Sequence, residues 1–349
     1  MNNYFDNLNP TVKEYFSILS PEIPKFLEEY IDTPEMQRIG KISMSCGTDY
    51  TKIFDNKFFY SNLDHSVGVA LIIWNFTKDK KQTLAGLFHD IATPCFKHCI
   101  DFMNGDHEKQ ESTEELTTQI IRDSKEIMSL LERDGIKLEE VNDYKMYPIA
   151  DNDTPKLSAD RFEYTFASGL VFKVVWTLDK IKEIYNNVTI LQNEEGIQEL
   201  GFKDSKVAEK YINIISDLWP AWISNDDKIT MQFIADTTKK MSEKGYLKIE
   251  DLYKLSEQEI INKIENCEDT HISNCFKMFR NTTTIGESDK PVEDKYCINI
   301  KAKRRYIVPL TNTENGISRI NEVSSVAKEK INNYLAFETK PYAYLDFKF

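Results

Sequence analysis

An all-α protein, a helical bundle with a helical extension and one small C-terminal β-hairpin, is the fold this sequence predicts. Three observations carry the prediction. The 349 residues include 12 glycines and 11 prolines, too few for the many tight turns of a sandwich or propeller. Apolar residues recur at three- and four-residue spacing through most of the chain. Helix-start signals, a Ser, Thr or Asp followed by acidic residues, stand between those stretches. With 41% apolar and 29% charged residues, the chain has the composition of a folded globular protein with room for two or three packed units.

The elements follow in order. Residues 1–30 hold Pro10, Pro21 and Pro24 among aromatic and acidic residues, and read as short helices packed on a later body. That body, 31–187, opens with Thr33-Pro34-Glu35, an N-cap followed by a proline tolerated in the first turn. Helices are predicted at Leu63 to Phe76, Gln82 to Ile91 and Pro94 to Met103. A capping-box pattern, Ser112-Thr-Glu-Glu115, opens another that runs to Arg133 and stops at Asp134-Gly135. The polar, proline-punctuated stretch from Lys137 to Pro155 reads as a long loop. Helical patterns resume over 158–187, 204–218, 226–243 and 256–279. The region 188–349 is mainly helical, with a β element near 295–310. There Lys295 to Lys301 alternates apolar and polar residues, and Arg305 to Leu310 is rich in β-formers. A last amphipathic helix, about Ser318 to Leu335, precedes the aromatic tail Tyr342 to Phe349.

Charge and patterning exclude several function classes. The net charge is −13, without the basic tracts that duplex DNA binding or an anionic membrane surface requires. The longest apolar stretch, Val69 to Trp74, is far too short to span a bilayer. The opening Met-Asn-Asn-Tyr-Phe-Asp shows no basic segment followed by an apolar one, so the expected compartment is the cytoplasm. Six cysteines lack any Cys-x-x-Cys pair and read as reduced thiols. Cys95 and Cys99 stand at helical spacing beside His98 but lack a third soft ligand.

The chemistry concentrates in one region. Of five histidines, four (His65, His89, His98 and His107) lie between positions 65 and 107. His89 precedes Asp90 inside the apolar run Leu84 to Ile91, where burial is costly unless both side chains are paired or metal-bound. Imidazole with carboxylate suits a divalent cation. His65 stands in Asp64-His65-Ser66-Val67, and Asp160 in Ser158-Ala-Asp-Arg-Phe-Glu-Tyr164.

His65, the His89-Asp90 pair and Asp160 resemble the H…HD…D pattern of the HD-domain phosphohydrolase superfamily. Thr33 to Arg38, Leu63 to Val69, His89 to His98, His107-Glu108 and Asp160 to Tyr164 are similar, in order, to five elements of its deoxynucleoside-triphosphate triphosphohydrolase branch. The segment His89-Asp-Ile-Ala-Thr-Pro-Cys-Phe-Lys-His98 looks like that branch's H-D-I-G-H-G-P-F-S-H. The resemblance covers residues 31–170. It implies an all-α HD-domain bundle holding one divalent metal on His65, His89, Asp90 and Asp160, with Mn, Fe, Mg, Ni, Co and Zn not distinguished. It implies hydrolysis of a phosphate ester or anhydride, with metal-bound water as nucleophile and His98, Asp101 and His107 as the acid/base group. Arg38, Asn62, Arg161 and Tyr164 match positions that contact substrate phosphates or, for Arg38, brace the domain. By analogy with that branch, a homo-oligomer is expected.

The pattern is not complete. Asn62 stands where the branch has arginine, Thr93 where it has the second histidine of H-D-I-G-H, Met44 for a glutamine, and Ala167-Ser-Gly169 for a terminal A-R-D. The expected substrate is therefore a nucleotide or another small phosphorylated metabolite. Two alternatives stand beside hydrolysis. An HD-type di-iron oxygenase needs two further histidines, and His98 and His107 both come early for that role. A non-catalytic nucleotide-sensing module has little reason to keep all four ligands. The run Lys301-Ala-Lys-Arg-Arg305 reads either as a solvated edge strand or as an anion site. His271 and the four tryptophans read as packing groups.

Overall fold

Capping chemistry and burial lay out the core of the molecule. The computed structural model describes residues 4–103, 105, 116–172 and 175–349. The first half carries α1 (Pro10–Leu19), α2 (Lys25–Ile31), α3 (Pro34–Ile39), α4 (Asn62–Thr77), α5 (Lys80–Phe88), α6 (Cys99–Met103), α7 (Thr117–Asp123), α8 (Lys125–Asp134), α9 (Ala159–Val171) and α10 (Leu178–Asn186). The second half holds β1 (Val188–Gln192), β2 (Gln198–Phe202), α11 (Ser205–Ile215), α12 (Asn225–Glu243), α13 (Glu257–Glu265), α14 (Thr270–Asn281), β3 (Gly286–Ser288) and β4 (Tyr296–Ile298). It ends with β5 (Leu310–Thr313), β6 (Gly316–Arg319), α15 (Ile320–Val323), α16 (Ser325–Leu335) and β7 (Tyr342–Leu345). The molecule is predominantly helical.

Helix α4 is the central element. Ser61 and Asp64 form a capping box at its start, and Asp64 also accepts from the Tyr4 hydroxyl at 2.5 Å. The helix is buried on nearly every side, as its continuous apolar run requires. It packs against α1, α5 and α9. The approach of α9 is close because Gly68 has no side chain: a Cβ there would lie 2.8 Å from the Glu163 carboxylate. The N-terminal helices join the same core, as expected, through Val12, Tyr15, Phe16 and Leu19.

Two sheets appear among the described residues. β1 and β2 form an antiparallel hairpin pairing Val188 with Phe202 and Gln192 with Gln198. β2 pairs in parallel with β5, and β5 antiparallel with β6. β7 lies between β3 and β4, antiparallel to both. Of the two segments expected near 295–310 as a short hairpin or two small strands, the first gives β4 beside the C-terminal β7, whereas only Leu310 of Arg305 to Leu310 is strand, the first residue of β5 beside β2. The β5–β6 hairpin follows that region. The β1–β2 hairpin, turned at Gly196 with φ of 75°, was not anticipated from the sequence.

Several helices expected to be continuous are divided at a capping residue. Ser124 separates α7 from α8 and caps the second by accepting from Ile127 N–H. Asp269 does the same for α14, and Ser324 for α16. The helix expected from Pro94 begins only at Cys99, because Phe96 and Lys97 take left-handed backbone with φ of 64° and 45°. The pattern at Ser112 to Glu115 lies outside the described residues.

Buried apolar side chains form two clusters. The first joins α1–α5 with α8–α11, α15 and α16. The second joins Cys95, Phe96, Cys99 and Phe102 to α12–α14 and β7. No helix among the described residues is long and apolar enough to cross a membrane.

Candidate metal centre

Three helix ends bring the ligand candidates together. His65 lies in the first turn of α4, His89 at the C-terminal cap of α5, and Asp160 in the first turn of α9, whose cap is Ser158 accepting from Arg161 N–H. One donor atom from each of His65, His89 and Asp160 lies within 4.8 Å of the others. Asp160 Oδ1 is 3.2 Å from His65 Nε2 and 3.9 Å from His89 Nε2. Asp90 faces the same point, with Oδ2 3.6 Å from His89 Nε2 and 3.9 Å from His65 Nε2.

The outer partners of the two imidazoles fix their tautomers. His65 Nδ1 donates to Glu163 Oε2 at 2.5 Å, and His89 Nδ1 donates to the Gly86 carbonyl at 2.7 Å. Both partners accept only, so each neutral ring turns an Nε2 lone pair inward, across 3.2 Å. Two lone pairs and two carboxylates at these distances repel one another unless a cation stands among them. This donor set fits a divalent metal ion held by His65, His89, Asp90 and Asp160. Burial lowers the His65 pKa, but Glu163 and Asp160 outweigh it and hold it up at about 9, so a proton fills the cation's role in metal-free protein. Burial opposes ionisation of Asp160, yet the His65 hydrogen bond and both histidines keep its pKa down at about 2. Desolvation also opposes ionisation of the half-buried Asp90, but Lys97, His89 and His65 hold its carboxyl well below the usual range.

Glu163, which received no role from the sequence, is the hydrogen-bond partner of His65 Nδ1. It is fully buried, three residues after Asp160 on the same helix face, and also accepts from Tyr60 at 2.6 Å and Tyr15 at 3.3 Å. The i, i+3 spacing within Asp160 to Tyr164 was the available signal. Lys97 was also missed: its Nζ donates to Asp90 Oδ2 at 2.9 Å.

The centre opens into a cavity of about 580 Å³ lined by His65, His89, Asp90, Lys97, His98 and Asp160, among others. The cavity sits on the seam between the two apolar clusters, since the metal-facing residues stand on the first and the His98 loop on the second. His98 Nδ1 donates to the fully buried Asp101 at 2.8 Å, leaving Nε2 as an acceptor. Arg305 Nη2 lies 3.3 Å from that Nε2. Burial, with Arg305 beside it, pulls the His98 pKa below its ordinary value. His107 lies outside the described residues.

The expected phosphate contacts divide. Tyr164 reaches the cavity wall, as does Trp222, which it meets edge to face. Arg161 also borders the cavity, but its guanidinium is tied to Lys156 O, to Asn152 and to Asp151. Arg38 and Asn62 do not reach the wall. Arg38 donates to the carbonyls of Ile91 and Thr93 at 2.9 and 2.8 Å, and Asn62 to that of Asp90 at 3.5 Å, so both brace the His89-Asp90 loop from behind. The basic run divides as well. Lys303 and Arg305 line the cavity, whereas Arg304 clamps the end of α16 through the carbonyls of Tyr334 and Phe337. All six cysteines are free thiols, and His271 stacks on Phe349.

Comparison with known proteins agrees with this architecture. No family model matches the sequence. The chain is similar to the uncharacterized protein YdhJ of Bacillus subtilis, 23% identical over 288 residues, spanning 81% of this chain and 83% of that one. It is also similar to the metal-dependent phosphohydrolase cns2 of Cordyceps militaris, 24% identical over 151 residues, which are 42% of this chain and 41% of that one. Among solved structures, a hypothetical protein from Aquifex aeolicus superposes with a TM-score of 0.64 at 16% identity, covering 93% of both chains. A phosphohydrolase from Bacteroides thetaiotaomicron gives 0.63 at 14% identity, covering 94% of this chain and 97% of that one. The fold is thus shared over nearly the whole length.

Proposed function

We propose that the protein is a metal-dependent phosphohydrolase of the HD type, acting on a phosphate ester or anhydride of a nucleotide or of another small phosphorylated metabolite. One observation carries the reading: three separate stretches of sequence bring donor atoms of His65, His89 and Asp160 within 4.8 Å of one another on a cavity wall, with Asp90 Oδ2 beside both histidines. The names of cns2 and of the Bacteroides thetaiotaomicron protein support the same class.

A divalent cation in such a centre supplies polarisation of a phosphoryl oxygen and acidification of water. The protein's own residues supply the rest. Glu163 and the Gly86 carbonyl keep the two imidazoles oriented with lone pairs inward. Asp101 holds His98 in the tautomer whose Nε2 faces the cavity as an acceptor, where it would take the proton that the attacking water gives up and pass it to the leaving oxygen. Arg305 and Lys303 draw the phosphorylated end of the substrate inward, and Tyr164 with Trp222 offers an aromatic wall to the remainder.

The test is phosphate release from a panel of nucleotides and phosphomonoesters with Mn²⁺, Mg²⁺, Co²⁺ or Ni²⁺. Turnover that vanishes in H65A and D160A supports the reading. Ligand binding without release in every case favours a sensing module, and two irons per chain with oxygen consumption favours an oxygenase.

A further inference from the structure

The loop joining the His89-Asp90 pair to α6 takes a conformation that few residues adopt freely. Phe96 and Lys97 are both left-handed, with φ of 64° and 45°, where an L side chain crowds the following carbonyl. The surroundings hold the loop in that form. Cys95 N–H donates to the Leu252 carbonyl at 2.8 Å, and Phe96 N–H donates to Glu257 Oε1 at 2.8 Å. Glu257, fully buried on α13, also accepts from the Tyr50 hydroxyl at 2.6 Å and from Ser43 N–H at 3.1 Å. Strain of this kind persists only where neighbours over-determine it, and it gathers at functional sites.

Its effect is to turn Lys97 inward. The side chain is 10% exposed, its ammonium is 2.9 Å from Asp90 Oδ2, and it forms part of the cavity wall. The charges explain what a lysine does there. Asp90, Asp160 and Glu163 place three carboxylates around two neutral imidazoles. A divalent cation and the Lys97 ammonium together balance them. Without Lys97 these three carboxylates outnumber the charge of a divalent cation by one, and the phosphate would meet an excess negative charge beside the metal. In the H-D-I-G-H-G-P-F-S-H pattern this position is serine, where this chain has Lys97.

We propose that Lys97 is a phosphoryl-binding residue of the centre, its ammonium donating to a non-bridging phosphoryl oxygen of the substrate. The inference rests on the phosphohydrolase reading and adds a contact that the motif does not contain. The competing account gives Lys97 no task beyond orienting Asp90. Phosphate binding separates the two.

Metal-loaded wild-type, K97M and K97R proteins are titrated with inorganic phosphate by calorimetry, and bound metal is counted by elemental analysis. The expected result is that K97M keeps its metal, binds phosphate at least about tenfold more weakly, and turns over its substrate about 100-fold more slowly. K97R, which keeps the charge, recovers part of the phosphate affinity. Should K97M fail to fold, K97Q drops the charge while keeping a hydrogen bond to Asp90 and is read in the same way. Phosphate affinity equal to wild type, or loss of the metal from the neutral variant, overturns the proposal. Wild-type protein that binds phosphate through Lys97 yet hydrolyses none of the panel leaves the proposal standing and removes the phosphohydrolase reading instead.

Discussion

Glu163 shows how much of the candidate metal centre lies outside the proposed ligands. Its carboxylate is wholly buried, holds the Nδ1 proton of His65, and gathers the hydroxyls of Tyr60 and Tyr15. Glu163→Gln removes the charge that makes His65 a strong donor, and metal affinity is expected to fall about 10–100-fold in a chelator-buffered titration. An unchanged affinity would remove Glu163 from the centre. The raised pKa of His65 sets a pH dependence. Its folded value of about 9 lies above the ordinary 6.5, so its contribution to the stability of metal-free protein is full below about pH 6.5 and is lost as pH rises through about 9. Chemical denaturation of metal-free protein across that window is expected to show the decline, and metal-loaded protein is expected not to. Uptake of metal at pH 7 likewise expels a proton, visible as a buffer-dependent binding enthalpy.

At the scale of elements, the C-terminal strands brace the helix that presents Asp160. Arg319 of β6 forms a bidentate pair with Glu199 of β2 at 2.6 and 2.8 Å. Glu199, itself 0% exposed, accepts from Leu157 N–H one residue before the cap of α9. Val308 N–H donates to the Pro155 carbonyl at 2.7 Å beside it. Arg319→Ala leaves a buried carboxylate unpaired, and a stability loss of about 3–5 kcal/mol in denaturant unfolding is expected, with weaker metal binding alongside. A loss under about 1 kcal/mol would mean that the pair is solvated after all. The four ligand candidates could be singled out from the sequence because their residue types and order match a known pattern. These braces could not. Glu199 and Arg319 stand 120 residues apart, and the strands that join them are four and five residues long, below what periodicity resolves. The left-handed turn at Phe96 and Lys97 was equally hidden, since no glycine marks it.

Across the whole molecule, the cavity is a joint product of two apolar clusters. His65, His89 and Asp160 stand on one, and Lys97, His98 and Asp101 on elements packed against the other. Residues as far along as Lys303 and Arg305 close the wall, and for that reason the sequence left their run open between edge strand and anion site. A cation bound at the seam, as proposed, would tie several helices together. Saturation at about 100 times its dissociation constant is expected to add about 2.7 kcal/mol to stability, read as a rise in Tm that chelator reverses.

The most direct test of the account is elemental analysis of purified, metal-loaded protein beside the H65A and D160A variants, each with its far-UV spectrum to confirm folding. About one divalent ion per chain in wild type, absent from both folded variants, is the predicted result. A wild type that holds no divalent ion, or folded variants that hold as much as wild type, would contradict it.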